Sequence, residues 1–392
     1  MPYFSFSLKN RIYKKTFSNL NDILNDLEIN KKYFSKNTYL YKLLKNNYFK
    51  NSINYIQFEK REKLHHISES ILICLPPSIG LGDAIEYALS VKALIISNKF
   101  KKVGVAYVGR FKNLFEKYFN LTNIYGDIIS EKELNSYISI FHITLEVKKL
   151  INQKYERQDI EDVITKYFNV PRFRKKLNSK HDQIKKISIF PISQSPLRSM
   201  NAELINGLIK KFQKNYSIEI ILDHSSNISN HIEKKLLSSC IKIYPKNLDI
   251  LFKVIENVDF GIFVDSGPLH FAKIINIKGV LITTTVSGRK LLNGFKSISA
   301  ISNNYKSLFC HAPCGLTNIF NYNNLVGCYQ SLKISKDKVI NLKNFNSLQR
   351  GNLKKKYIYF IDNPVGCQKN ISLKNVSKFI NIKLNEYGPW NS

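Results

Sequence analysis

The sequence contains no uninterrupted apolar run long enough to cross a membrane as a helix. Its first residues, 1–8, also lack the basic start and long apolar core of a secretory signal peptide. Cysteine is scarce, with six among 392 residues, and without a secretion signal we expect no disulfides. These absences predict a cytoplasmic protein.

Acidic residues are also few, because 29 Asp and Glu stand against 60 Lys and Arg, which gives a formal net charge of +31. A surplus of this size favours anionic partners, such as nucleic acid, anionic lipid or phosphorylated sugars. The lysines are spread along the whole chain, however, and the chain is crowded with Lys, Asn and Ile. Biased genomic composition therefore explains the excess equally well.

Length and patterning predict two α/β units. With 392 residues, 44% of them apolar, the chain can bury two separate cores. Short apolar runs alternate with helical patterns, which indicates parallel sheets covered by helices. The predicted strands fall at residues 71–75, 102–108, 138–143, 187–192, 217–222, 260–264 and 279–283.

The charged, less periodic stretch at residues 155–186 is the expected linker between these units. We predict an N-terminal extension at residues 1–68, a first Rossmann-like domain at 69–180, a second at 181–340, and a C-terminal tail at 341–392. Ligands of such paired units bind in the cleft that the carboxyl ends of the strands face. The predicted fold class is therefore α/β, with two doubly wound domains facing a cleft.

Three loops at predicted strand ends carry the residues suited to chemistry. The first is Gly80-Leu81-Gly82-Asp83, between a strand and an apolar helix. Glycines let the backbone approach a ligand closely. Asp83 either caps the helix or acts on that ligand, and Glu86 is a second acidic candidate on the same helix.

The second loop follows the predicted strand at 187–192 and contains Ser193 and Arg198. A guanidinium at a strand end can clamp a diphosphate through paired hydrogen bonds. A solvated arginine with no ligand is the alternative interpretation.

The third loop is Asp265-Ser266-Gly267-Pro268-Leu269-His270, between the predicted strand at 260–264 and a helix. The start of that helix offers free N–H groups and the positive end of its dipole, which favour a phosphorylated ligand. The alternatives are that the aspartate only caps the helix and that the histidine is only packed.

Asp265, Ser266, Gly267 and His270 resemble, residue by residue, the Asp-(Ser/Thr)-Gly-x-x-His signature of glycosyltransferase family nine, the ADP-heptose heptosyltransferases. The two earlier loops, this loop and a later cysteine segment occur in the same order as in the family, so the resemblance covers about residues 70–340. This chain differs from the family after Arg198, where the family often has a Trp and a Pro. The resemblance implies the two-domain glycosyltransferase fold called GT-B.

The resemblance also implies an inverting, metal-independent transfer of a heptose from ADP-heptose. Asp83 would be the general base that activates an acceptor hydroxyl, with Gly80 and Gly82 in the acceptor loop. The implied donor-binding residues are Ser193, Arg198, Asp265, Ser266, Gly267 and His270.

The acceptor stays open at this point. The usual family acceptor is the lipopolysaccharide core at the inner face of the cytoplasmic membrane, and the basic composition suits an anionic glycolipid and peripheral membrane contact. A protein acceptor and another nucleotide sugar as donor are the alternatives. From a different class, the chain could be a basic nucleic-acid-binding protein on a degenerate glycosyltransferase scaffold, although it shows no recognisable nucleic-acid motif.

Four cysteines toward the C-terminus raise the question of a metal. Cys310 and Cys314 are close in sequence, whereas Cys328 and Cys367 follow singly, and metal sites usually contain two close pairs. Many family members carry a comparable cysteine segment, and some protein-modifying members are described as holding iron there. No cofactor is expected for the transfer itself. A structural iron or zinc at these cysteines stays open against free thiols in a packed turn.

Overall fold

The computed structural model describes residues 3–9, 24, 27–35, 38–45, 53–59, 70–75, 79–107, 111–126, 128–143, 159–174, 183–306, 312–315, 358, 360–364 and 366–387. Its contacts divide the chain into two compact units, Met1–Phe173 and Arg174–Ser392. The division falls inside the charged stretch 155–186. Each unit contains a parallel sheet with helices, so the predicted α/β class is confirmed.

The first unit contains both strands and helices. The strands are β1 (Tyr3–Leu8), β2 (Lys32–Ser35), β3 (Ile53–Glu59), β4 (Ser70–Cys74), β5 (Lys102–Ala106), β6 (Ile124–Tyr125), β7 (Ile128–Ser130) and β8 (Ser139–His142). The helices are α1 (Thr38–Leu44), α2 (Leu81–Ile96), a π-helix (Leu114–Tyr118), α3 (Glu131–Asn135) and α4 (Ile160–Tyr167).

The parallel sheet of the first unit has the strand order β6-β5-β4-β8. The order reverses beside β4, because the chain moves to one side for β5 and β6 and returns to the other side for β8. In open α/β sheets, ligands bind at the carboxyl ends of the strands where the order reverses. Helix α2 begins shortly after β4, at this position.

Residues 1–68 contribute β1, β2 and β3 to an antiparallel sheet of order β3-β1-β2-β7. Phe34 of β2 is fully buried in one cluster with Leu72 and Cys74 of β4. The predicted extension therefore shares a core with the parallel sheet, and its strand β2 pairs with β7 from the middle of the unit.

The second unit follows the alternation that the sequence predicts. Its strands are β9 (Lys186–Phe190), β10 (Ser217–Ile221), β11 (Ile241–Ile243), β12 (Phe260–Phe263), β13 (Gly279–Ile282) and β14 (Ile298–Ile301). Its α-helices are α5 (Ala202–Phe212), α6 (Asn227–Glu233), α7 (Leu248–Glu256), α8 (Gly267–Ile274), α9 (Gly288–Leu292) and α10 (Leu373–Tyr387), with 3-10 helices at Pro196–Arg198 and Gly366–Asn370.

All six strands of the second sheet run parallel, in the order β11-β10-β9-β12-β13-β14. This is the 3-2-1-4-5-6 order of dinucleotide-binding domains, and the reversal lies between β9 and β12. The loops with Ser193 and Arg198, after β9, and with Asp265, after β12, therefore leave the sheet side by side.

The last third of the predicted tail forms part of the second unit's core. Val376, Ile380 and Leu384 of α10 are buried in the same cluster as Ile189, Ile262 and other strand residues of the second sheet. Their spacing places them on one face of the helix, which explains why α10 packs there. Over the described part of the chain, no helix is long and apolar enough to cross a membrane.

Candidate functional site

In the first unit, the candidate residues lie at the start of α2. Gly80 is the N-cap residue, with φ −74° and ψ 164°, and its N–H donates to Asp83 Oδ2 at 3.3 Å. The carboxylate therefore caps the helix while its side chain is exposed. Capping does not consume the group, since its second oxygen has no hydrogen-bond partner among the described residues.

Glu86 and Tyr87 follow Asp83 by about one turn. Glu86 is only 4% exposed, so a bound substrate would meet Asp83 rather than Glu86. Burial raises the pKa of the Tyr87 phenol well above its usual value, and the negative charge of Asp83 raises it further. Tyr87 is thus a neutral neighbour of the Asp83 carboxylate.

Gly80 adopts an ordinary extended conformation, and a Cβ added there would lie 3.6 Å from Asp83 Oδ2, an unstrained contact. The local fold therefore does not demand glycine at this position. Gly82 is the second residue of α2.

In the second unit, the structure brings Ser193, Arg198 and Asp265 together between β9 and β12. Arg198 Nη1 lies 3.2 Å from Asp265 Oδ2 and donates to the Asp265 backbone oxygen at 3.4 Å. Ser193 Oγ donates to the same backbone oxygen at 2.8 Å. Both charged side chains are largely buried, at 16% and 9% exposure, so the pair is well shielded from water.

Serine hydroxyls fix the loop that carries Arg198. Ser195 caps the 3-10 helix Pro196–Arg198 by accepting from the N–H of Leu197. Ser199 Oγ accepts from the N–H of Ser193 at 2.9 Å and donates to the Ser195 carbonyl at 2.9 Å. The arginine is thus held on a buried turn rather than on a solvated loop.

Ser266, Gly267 and His270 lie at the beginning of α8. Ser266 is the N-cap residue, and its hydroxyl donates to the Val264 carbonyl instead of capping the helix. The N–H groups of the first turn therefore lack a side-chain cap from this residue, as an anion-binding helix start requires. His270 is partly exposed one turn into the helix.

Beside this cluster lies an open pocket of about 280 Å³, close to the smallest volumes typical of small-molecule sites. Its apolar lining comes from the ends of β9 and β10, from α7 and from the start of α8. The apolar lining residues are Phe190, Ile192, Ile221, Leu222, Pro245, Leu248, Leu251 and Pro268, and the polar ones are Asp223 and Asn247.

Asp223 is an acidic residue of this pocket that belongs to none of the three sequence loops. It is exposed directly after β10, and its Oδ1 accepts from the N–H and the hydroxyl of Ser225 at 2.9 and 2.6 Å. Its other oxygen has no partner among the described residues. An acidic residue immediately after the second strand of a Rossmann-like unit was the available signal.

Of the four cysteines toward the C-terminus, two lie within the described residues. Cys310 and Cys328 lie outside the described residues, whereas Cys314 is exposed and Cys367 is buried, and neither forms a disulfide within the described residues. Within the described ranges, no group of three His, Cys, Asp or Glu side chains is arranged to hold a metal ion. A site built from all four cysteines stays a prediction.

Comparisons with solved structures agree with this architecture. The iron-containing dodecameric heptosyltransferase TibC, from enterotoxigenic E. coli, solved with ADP-D-beta-D-heptose, is 12% identical over 98% of this chain and 92% of its own, with a TM-score of 0.53. A family nine glycosyltransferase from Veillonella parvula is 13% identical over 83% of this chain and 100% of its own (TM-score 0.49). E. coli ADP-heptose heptosyltransferase II is 12% identical over 59% of this chain and 90% of its own, with a TM-score of 0.45.

No protein-family model and no curated protein matches the sequence. The likeness to TibC nevertheless shows the fold, which is the GT-B-like fold of family nine heptosyltransferases. The fold that the sequence resemblance implied is therefore confirmed. The roles of the individual site residues stay predictions.

Proposed function

We propose that this protein is an inverting glycosyltransferase that moves a heptose from ADP-heptose to an acceptor hydroxyl. The strongest support is that two features lie next to each other where the strand order of the second sheet reverses. A basic, hydroxyl-lined cluster around Arg198 lies on one side, and an apolar pocket with Asp223 lies on the other. A nucleoside diphosphate has the matching halves, a planar base with its ribose and a doubly charged diphosphate.

In this proposal the second unit binds the donor. The base occupies the pocket of about 280 Å³, and the Asp223 carboxylate accepts hydrogen bonds from the ribose hydroxyls. Arg198 and the first turn of α8 supply positive charge to the diphosphate. That charge matters most as the sugar–phosphate bond breaks, because the leaving group then gains negative charge. This role needs no metal ion.

Asp83 supplies the general base. As the acceptor oxygen attacks the anomeric carbon, its proton passes to the Asp83 carboxylate, and the bond to the diphosphate breaks on the opposite face, so the configuration inverts. The transition state carries oxocarbenium character, as in other glycosyl chemistry. TibC and heptosyltransferase II are named for this donor class, which supports a heptose as the transferred sugar.

We further propose a cytoplasmic protein whose acceptor is an anionic glycolipid, such as a lipopolysaccharide core, met at the inner face of the membrane. The net charge of +31 supports an anionic acceptor. A protein acceptor is the alternative, which the cysteine segment favours. Radiolabelled sugar recovered in the lipid fraction or in the protein fraction distinguishes the two.

The first experiment measures binding of ADP, UDP, GDP and ADP-sugars by calorimetry and thermal shift. We expect selective binding of ADP and ADP-sugars, with a raised melting temperature. Leu251→Trp should weaken ADP binding by about tenfold or more because the indole fills the base pocket. Ile250→Trp is the matched control, since Ile250 is the neighbouring residue of α7 and is 40% exposed.

Selective UDP or GDP binding would keep the reaction class and change the donor. Binding of none of them, together with salt-sensitive binding of nucleic acid, would overturn the proposal in favour of the degenerate-scaffold alternative.

A further inference from the structure

Arg198 and Gln368 line one small, partly open cavity next to the proposed diphosphate site. The cavity has a volume of about 30 Å³, and its lining includes Asn201, Thr284 and Pro364. Two buried polar atoms, the donor Arg198 Nε and the acceptor Gln368 Oε1, have no hydrogen-bond partner among the described residues. Unsatisfied buried polar atoms are rare, so a donor and an acceptor at one cavity call for an explanation.

The orientation of the Gln368 amide follows from its other contact. Gln368 Nε2 donates to the Pro196 carbonyl, and because that carbonyl is only an acceptor, the amide oxygen must be the atom left for the cavity. Pro196 is the first residue of the 3-10 helix that ends at Arg198. Gln368 therefore touches both the backbone of the arginine's turn and the cavity beside its guanidinium.

Gln368 is itself held firmly. It is only 8% exposed and lies in the 3-10 helix Gly366–Asn370. Asn303 Nδ2 donates to the Cys367 carbonyl at 2.7 Å and to the Thr283 carbonyl at 3.3 Å, which ties this helix to the end of β13. Helix α10, buried in the core of the second sheet, follows directly. A residue anchored in this way can fix a neighbour's position.

The cavity is large enough to hold a water molecule. Both atoms are almost fully buried, so a small outward shift of the two side chains lets one water accept from Arg198 Nε and donate to Gln368 Oε1. Asp265 already holds Nη1. Nη2, like Nε, has no partner among the described residues, so with Nε bonded to the water Nη2 is the guanidinium nitrogen left for a ligand.

We propose that Gln368 is a positioning residue for Arg198. It holds the Pro196–Arg198 turn directly and the Nε edge of the guanidinium through one water, so that Nη2 is presented to a diphosphate. This inference rests on the proposed function insofar as the ligand is a nucleoside diphosphate. It adds a residue from beyond the region covered by the family resemblance.

The test compares ADP with adenosine in Gln368→Met, which keeps the side-chain length and removes both hydrogen-bonding groups. We expect ADP to bind about tenfold more weakly while adenosine binding is unchanged, because Arg198 acts on the phosphates alone. In an Arg198→Ala background, Gln368→Met should have no further effect on ADP binding. Gln213→Met, the same change at an exposed site of the second unit, is the control.

Equal losses for ADP and adenosine, or additive losses in the double variant, would indicate a merely structural role and overturn the proposal. A ligand-free measurement separates this inference from the proposed function. In protein with ¹⁵N-labelled arginine, the Arg198 Nε–H should exchange slowly with solvent, and Gln368→Met should accelerate that exchange at least tenfold. Fast exchange in the unmodified protein would overturn the inference, whereas absence of nucleotide binding alone would overturn the proposed function.

Discussion

The starts of α2 and α8 are equivalent places in the two units, yet their aspartates lie in opposite environments. Each helix follows a strand that borders a reversal of strand order in a parallel sheet. Asp83 is exposed, and among the described residues its carboxylate is hydrogen-bonded to the Gly80 backbone alone. Asp265 is buried, pairs with Arg198, and has its carbonyl held by Ser193 and Arg198.

This difference separates chemistry from architecture. A carboxylate that exchanges a proton with a substrate must be reached by that substrate, and Asp83 meets this requirement. A carboxylate that neutralises a shielded guanidinium contributes mainly to the position of its partner, as Asp265 does. We therefore expect substitution of Asp83 to affect turnover and substitution of Asp265 to affect stability and the arginine.

Asp83→Asn should give the largest effect, on turnover. The amide cannot accept the proton of the acceptor hydroxyl, so we expect kcat to fall by about 10²–10⁴-fold, with ADP binding unchanged. Steady-state transfer assays and calorimetry with ADP measure the two quantities.

Glu133→Gln is a matched control for Asp83→Asn. Glu133 forms the same kind of contact at the start of α3, where its Oε2 accepts from the Ser130 N–H at 3.2 Å, and it is also exposed. Both variants lose a charged helix cap in the first unit. Equal activity in the two variants would contradict a role for Asp83 as base.

Asp265→Asn should give the next largest effect, on stability. It leaves the Arg198 guanidinium without its counter-charge in a site where little water reaches it. We expect the free energy of unfolding to fall by about 1–3 kcal/mol, several times more than for Asp83→Asn. Denaturant unfolding of both variants makes the comparison, and an equal loss in both would remove the distinction drawn between the two aspartates.

Much of the second unit could be predicted from the sequence because its strands are short runs of mostly apolar residues. The predicted strand at 260–264 is observed as β12, Phe260–Phe263, and the predicted strand at 217–222 as β10, Ser217–Ile221. A strand buried on both faces shows itself locally, without knowledge of its neighbours.

The antiparallel sheet that contains β1, β2 and β3 could not be recognised in the same way. β2 pairs with β7, nearly a hundred residues later in the chain, so its place depends on a distant partner. β1 does alternate Phe and Ser over Phe4 to Ser7, which was a usable strand signal. Local pattern alone did not say that it would share a core with β4.

The candidate-site residues also fall into two groups, those with a local sequence signal and those without one. The Gly80–Asp83, Arg198 and Asp265–His270 loops were found because each lies at a strand end within a short motif. Asp223 has no motif around it, and its relevance comes from the pocket it borders. Gln368 lies 170 residues from Arg198 and meets it only in the folded second unit.

Gly80→Ala should give the smallest effect on stability and tests whether the start of α2 meets a substrate at all. The backbone at Gly80 suits alanine and the added methyl makes only an ordinary contact, but alanine is a poorer N-cap than glycine, so the free energy of unfolding should fall by less than about 1 kcal/mol. If a substrate approaches this backbone, the methyl blocks it and kcat/KM falls by about tenfold. Gly126→Ala is the control, because a Cβ at Gly126 meets nothing within 4 Å. Wild-type activity in both variants would mean that no substrate approaches the Gly80 backbone, and the acceptor would then have to reach Asp83 from another side.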